Sequence, residues 1–228
     1  MLMDNVLFSD VFDYNEKLLD KYFRIGLNYD VVATKFNAGG RKAKLYFVDG
    51  FINGETSERV MNFMMQASGV DKGIATAEEF AQRLIAYMEI ELSKDIKKIA
   101  KVVYSGAMLV IVDGFDTGFL VKTRSYPKRS VCEPDNDKVL SGAHDGFVES
   151  ILINTALIRR RIRDRDLVME VREAGAKSKT DIAICYLKGK ADEKTVDDLR
   201  QRIDKIEVNT LNMSQESVIE CLVRKQKW

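Results

Sequence analysis

The sequence predicts an α/β protein made of two small α/β lobes with mixed sheets, related by duplication and joined by a proline-containing linker. Three observations carry that prediction. Short apolar runs of strand length are interspersed with amphipathic stretches of helix length. The order strand, glycine turn, strand, helix occurs twice at a nearly constant offset. Both prolines, Pro127 and Pro134, fall in one polar tract, YPKRSVCEPDNDK. There proline's fixed φ, and its restriction of the preceding residue, break regular structure. Residues 1–126 are therefore read as a first lobe, 127–138 as the linker and 139–228 as a second lobe.

Residues 4–26 read as one or two helices, with Leu18, Leu19, Tyr22, Phe23 and Ile25 apolar. Asp30 opens the strand VVATKF, which meets a turn at Asn37–Gly40, and a second strand runs from Ala43 to Val48. Thr56–Gln66 is helical. Thr76 and Glu79 form a capping box, a reciprocal exchange of side-chain and backbone hydrogen bonds that starts a helix. That helix carries Phe80, Leu84, Tyr87 and Met88 on one side. After Tyr104-Ser105-Gly106 comes a hairpin, AMLVIVDG and GFLVKTRSY, turning at Phe115–Thr117. In the second half Asp145 reads as the N-cap of a helix with apolar residues at 147, 148, 151, 152, 158 and 162. Leu167–Val171 is a strand and Ala174–Lys177 a turn. Asp181–Leu187 is a strand apolar enough to predict burial on both faces. Ile182, Ile184, Tyr186, Leu199 and Ile203 are the expected core of the second lobe.

The duplication rests on spacing. Asp30 and Gly39 are nine residues apart, as are Asp166 and Gly175. Leu45, Phe47, Gly50, Asn53 and Thr56 align with Ile184, Tyr186, Gly189, Asp192 and Thr195, and the offset stays between 136 and 139. The alternative is that any two αββα units share the same strand–glycine–helix punctuation. The hairpin at 107–123 has no counterpart, which would start near residue 245, and the chain closes on the charged run Arg224–Trp228. Both features predict a piece of a longer protein.

Composition narrows the function. A formal net charge of +1 gives no global field favouring nucleic acid or an anionic membrane. Cys132, Cys185 and Cys221 are far apart and lack CxxC spacing, which predicts reduced thiols rather than a zinc site or disulfide framework. No apolar run approaches the roughly 20 residues of a spanning helix, and no signal-peptide pattern opens the chain. His144 is the only histidine, and no nucleophile signature accompanies it. Asp145 and Glu149 lie one helical turn apart without a histidine at matching spacing, so they read as capping and surface residues. The glycines of Ala38–Arg41 join two strands, whereas a dinucleotide fingerprint opens directly into a helix. No catalytic, cofactor-binding or metal-ligating residue is expected, and the chain is not read as an enzyme.

The most unusual feature is the run Arg159, Arg160, Arg161 and Arg163 at a helix end. One reading is a solvated end that complements the helix dipole and pairs with Asp164 and Asp166. The other is a contact with an acidic partner surface, for which arginine's planar fork is suited. At least two of the four must face outward, because residues 159–163 circle the helix.

The segments GAHDGFVES, NTALIRRRIRD and KSKTDIAICY, with TRSYPKR, EPDNDK and VRKQKW, carry a family resemblance. They resemble the cytosolic N-terminal domain of the A subunits of spore-germination receptors, the GerA family, and are most similar to its stage V sporulation (SpoVAF-type) branch. The resemblance covers most of residues 104–228; before that only the layout of elements agrees. It implies a non-enzymatic module on the cytoplasmic, spore-core side of the spore inner membrane. Its partners would be other subunits or copies of the same protein, and the transmembrane region would lie outside this chain. For this branch it further implies a channel-like assembly that supports ion release in germination. Where the family usually shows GPREGF or GARDGF, this chain has GAHDGF, which removes a permanent charge at His144. The alternative class is a small-molecule sensor in which two lobes close about a linker.

Overall fold

The computed structural model describes residues 8–52, 54–66, 74, 76–84, 89–123, 146–209 and 215–223. The chain divides between Arg165 and Asp166 into two units.

In the first unit, helix α1 (Phe12–Phe23) is followed by strands β1 (Val31–Ala38) and β2 (Arg41–Val48). Ala38 pairs with Arg41, so Gly39 and Gly40 alone make the turn, with φ of 57° and 89°. Two successive left-handed residues are what the tightest hairpin turns require, and glycine adopts them without a Cβ clash. Helices α2 (Gly54–Gln66) and α3 (Ala77–Leu84) come next, then the short strand β3 (Ile90–Ser93) and helix α4 (Ile96–Val103). The hairpin β4 (Met108–Val112) and β5 (Gly118–Val121) and helix α5 (Ile151–Arg161) complete the unit. The strands form one sheet in the order β1-β2-β4-β5-β3.

Alternation along the strands divides the core in two. Tyr46, Val48, Leu109, Ile111 and Leu120 face one way, with Leu19 and Phe23 of α1, Ile99 and Val103 of α4 and Ala156 of α5. Ala43, Leu45, Met108, Val110, Val112 and Phe119 face the other way, with Val60 and Met64 of α2 and Phe80 of α3. All five residues of β4 are therefore buried. Doubly covered strands lose the polar half of their alternation, which is why AMLVIV reads as one apolar run.

The second unit is a hairpin, β6 (Leu167–Ala174) and β7 (Thr180–Leu187), followed by helices α6 (Glu193–Asp204) and α7 (Gln215–Val223). Ala174, Ile184, Ile203 and Ile206 form its core cluster, with Ile182, Tyr186, Val218, Cys221 and Leu222 packed against it.

The α/β class holds, but several expectations change. Every described strand pairing is antiparallel, where mixed sheets were expected. Helix α5 belongs to the first unit, so the chain divides after Arg165 rather than at residues 127–138. That tract, with Cys132, His144 and Asp145, lies outside the described residues. Helix α5 begins at Ile151 rather than near Phe147, and its N-cap is Ser150, whose hydroxyl accepts from the Ile153 amide at 3.5 Å. Strand β7 is not buried on both faces: Ile184 is its only buried residue. Leu199 is half-buried and stays outside the core cluster, whereas Val196, three residues earlier on α6, is buried.

The two repeat segments agree in order, antiparallel pairing and helix seat, since α2 packs on β1 and α6 on β6. The same backbone bonds close both hairpins: Asp49 N–H donates to the Asp30 carbonyl, and Lys188 N–H to that of Asp166, each at 2.8 Å. Their turns differ, because β6 and β7 are joined by five residues instead of two.

Candidate functional site: the arginine end of helix α5

The four arginines singled out by the sequence have different environments. Arg159 is fully buried, with a relative exposure of 0%. Its Nε donates to Asp30 Oδ2 at 2.8 Å and its Nη2 to Asp30 Oδ1 at 3.1 Å, a two-pronged fork between residues 129 apart in sequence. Such planar pairing is the strong form of an arginine–carboxylate contact. Nη1 donates to the Asp164 carbonyl at 3.2 Å, and the guanidinium lies over the Tyr104 ring, 5.1 Å from its centroid. Burial pushes the Tyr104 hydroxyl up to about 12. Arg159 therefore serves the fold, and the expected outward role narrows to its neighbours.

Arg160, Arg161 and Arg163 are exposed. Arg163 Nε donates to the Arg160 carbonyl at 3.1 Å, and its Nη1 reaches Ser105 Oγ at 3.4 Å. These charges sit where the carbonyl dipoles of the last helical turn favour cations. Beyond them the Arg165 guanidinium lies over the Tyr22 ring, 4.5 Å from its centroid, and Arg24 donates to the Arg165 carbonyl. The helix end thus presents positive charge outward while one arginine turns inward. Asp30, missed by sequence reasoning as anything but a strand opener, is the residue that turns it.

Two further charged clusters are internal. Lys44, only 5% exposed, donates to Glu16 and to both oxygens of Asp20 at 2.8 Å, while Tyr46 Oη donates to Asp20 at 2.9 Å. Burial raises the Tyr46 hydroxyl far above its ordinary range, and Asp20 adds to this. In Glu16 burial is outweighed by hydrogen bonds from Lys35 and Lys44, which hold the carboxyl low. In the second unit Arg200 Nε donates to Glu170 Oε2 at 2.8 Å, its Nη2 reaches Glu170 Oε1, and Tyr186 Oη donates to Oε1 at 2.6 Å. Burial opposes ionisation of Glu170, but Arg200 and Tyr186 together hold its carboxyl below the usual range. Burial, then the bond to Glu170, pushes the Tyr186 hydroxyl up to about 12.

A cleft beside α1 is lined by Phe12, Asp13, Glu16, Lys35, Phe36 and Lys42, and its Lys35 and Glu16 already pair at 2.7 Å. Among the described residues, no group of three or more His, Cys, Asp or Glu side chains could hold a metal. Among them too, no helix is long and apolar enough to cross a membrane.

The model of the Bacillus/Clostridium GerA spore germination protein family matches residues 17–228. The match takes in residues 17–100, where motif resemblance is weakest. Stage V sporulation protein AF of Bacillus subtilis (strain 168) is 33% identical over 211 residues, covering 92% of this chain and 43% of that protein. Spore germination protein B1 of the same strain is 26% identical over 204 residues, covering 89% of this chain and 42% of that protein. The chain spans less than half the length of these relatives. The crystal structure of the N-terminal domain of the A subunit of the Bacillus megaterium spore germinant receptor GerK3 has the same fold. Its TM-score is 0.68 at 22% identity, over 89% of this chain and 74% of that one.

Proposed function

The chain belongs to the GerA spore germination protein family, and on that premise we propose that it is the non-enzymatic N-terminal module of a spore inner-membrane germination protein. In this reading the module lies on the cytoplasmic, spore-core side. It assembles with copies of itself or with partner subunits and couples that assembly to signal transmission or ion release during germination. The single observation that carries the assembly role is the exposure of Arg160, Arg161 and Arg163 at the C-terminal end of a helix whose Arg159 turns inward to Asp30. Exposed ion pairs typically contribute less than about 1 kcal/mol to a fold. Three guanidinium groups at one helix end are therefore better accounted for by an acidic partner surface, where carboxylates become partly buried on assembly.

The test is charge reversal. Arg160→Glu with Arg161→Glu should leave the melting temperature of this chain within about 4 °C of wild type, the shift expected for a loss near 1 kcal/mol or less. The same double substitution in the full-length protein should impair assembly or slow germination. A large fall in the chain's melting temperature, with assembly intact, would place both arginines in the fold instead.

A further inference from the structure

Helix α5 is seated differently from α1 and α4, which pack on the same face of the sheet. Helix α1 buries Phe12, Leu18, Leu19, Tyr22 and Phe23, and α4 buries Ile96, Ile99, Ala100 and Val103. Helix α5 buries only Thr155, Ala156 and Arg159, while Ile151, Leu152, Ile153, Leu157 and Ile158 stay partly exposed. Its buried residues form a narrow line of small and polar groups, with the half-buried Leu152 beside Gly50. Ala156 lies against Gly50, where an added Cβ would come within 3.0 Å of the alanine methyl. Thr155 shares a hydrogen bond with the Tyr29 hydroxyl, and Arg159 closes on Asp30.

Apolar burial is non-directional and falls away gradually as surfaces part. A buried ion pair behaves otherwise: it adds little net stability over an apolar replacement, but removing one partner strands the other charge. A helix whose buried contacts centre on such a pair, with its larger apolar residues only half-buried, has two well-separated states. We infer that Asp30 and Arg159 form a latch, and that α5 docks and releases as one piece on a five-stranded core that stays folded. The helix leads through Asp164 and Arg165 directly to Asp166, the first residue of the second unit. Docking therefore fixes the point at which the chain leaves the first unit. The inference goes beyond the assembly role and concerns residues buried away from that surface.

Hydrogen exchange followed by mass spectrometry on the whole chain, across a series of low urea concentrations, reads this directly. In the wild type, peptides within 151–161 should open together at lower urea than β4 and β5. In Asp30→Asn, exchange across 151–161 should rise at least about tenfold, with β4 and β5 unchanged within about twofold. Three results would overturn the latch: α5 exchanging in step with β4 in the wild type, Asp30→Asn leaving α5 unchanged, or Asp30→Asn loosening α5 and β4 equally. The wild-type series decides the matter alone if the variant does not fold.

Discussion

Arg159 and Arg160 are neighbours in sequence, yet one is buried against the Tyr104 ring and the other is exposed. The helical rotation of about 100° per residue separates them, and it was legible from spacing that the four arginines could not share one environment. What no local pattern could supply was Asp30, 129 residues away, as the group that makes burial of a guanidinium tolerable. Glu170 offers the corresponding test in the second unit. Its folded-state pKa lies below the ordinary value of 4.5, because hydrogen bonds from Arg200 and Tyr186 outweigh the effect of burial. A depressed carboxyl contributes stability in full above its unfolded value and loses it as pH falls through the folded value. Glu170→Gln should therefore cost about 1.5–3 kcal/mol at pH 7, the range for hydrogen bonds to a charged group. The gap to wild type should close as pH drops below 4.5. Urea midpoints of both proteins between pH 3 and 7 would show it, and a gap independent of pH would mean the ion pair is not its source.

At the level of elements, the strands and turns that carry strong local signals were readable, and the failures have physical causes. Strand β3 is four residues long at a sheet edge, too short for alternation to stand out. Helix α4 carries a local signal of its own: Asp95 caps it by accepting from the Lys97 amide at 2.9 Å, and its buried residues repeat at three- and four-residue spacing. Strand β7 is as apolar as β4 but lies in a two-stranded sheet, so apolar content overstated its burial. We read the two strand–turn–strand–helix segments as copies, and their post-hairpin glycines provide a comparison. Gly50 and Gly189 have φ of 80° and 82°, and only Gly50 has a neighbour in the way of a side chain. Alanine at either site should cost about 1–2 kcal/mol from left-handed strain. Gly50→Ala should cost more, and Ala156→Gly in the same chain should restore part of the difference. Equal losses in urea denaturation would mean that the helix yields without penalty.

The whole molecule joins units of unequal strength. The first has a five-stranded sheet covered on both faces, whereas the second has one hairpin whose core cluster is Ala174, Ile184, Ile203 and Ile206. Small domains bury a smaller fraction of their surface and are correspondingly marginal. With rising urea, amides of β6 and β7 should lose protection before those of β4 and β5; simultaneous loss would mean the units unfold as one. The tie between Asp30 and Arg159 also bears on how the chain is made. Synthesis runs from the N-terminus, and the last strand of the sheet is complete at Val121. Until residue 159 has left the ribosome, Asp30 lacks the cation it pairs with, so the five-stranded sheet is complete before the helix that docks on it can be held. A fragment ended at the proline tract would therefore keep the sheet but leave Asp30 open to water, and only one that extends past Arg159 would carry the closed pair.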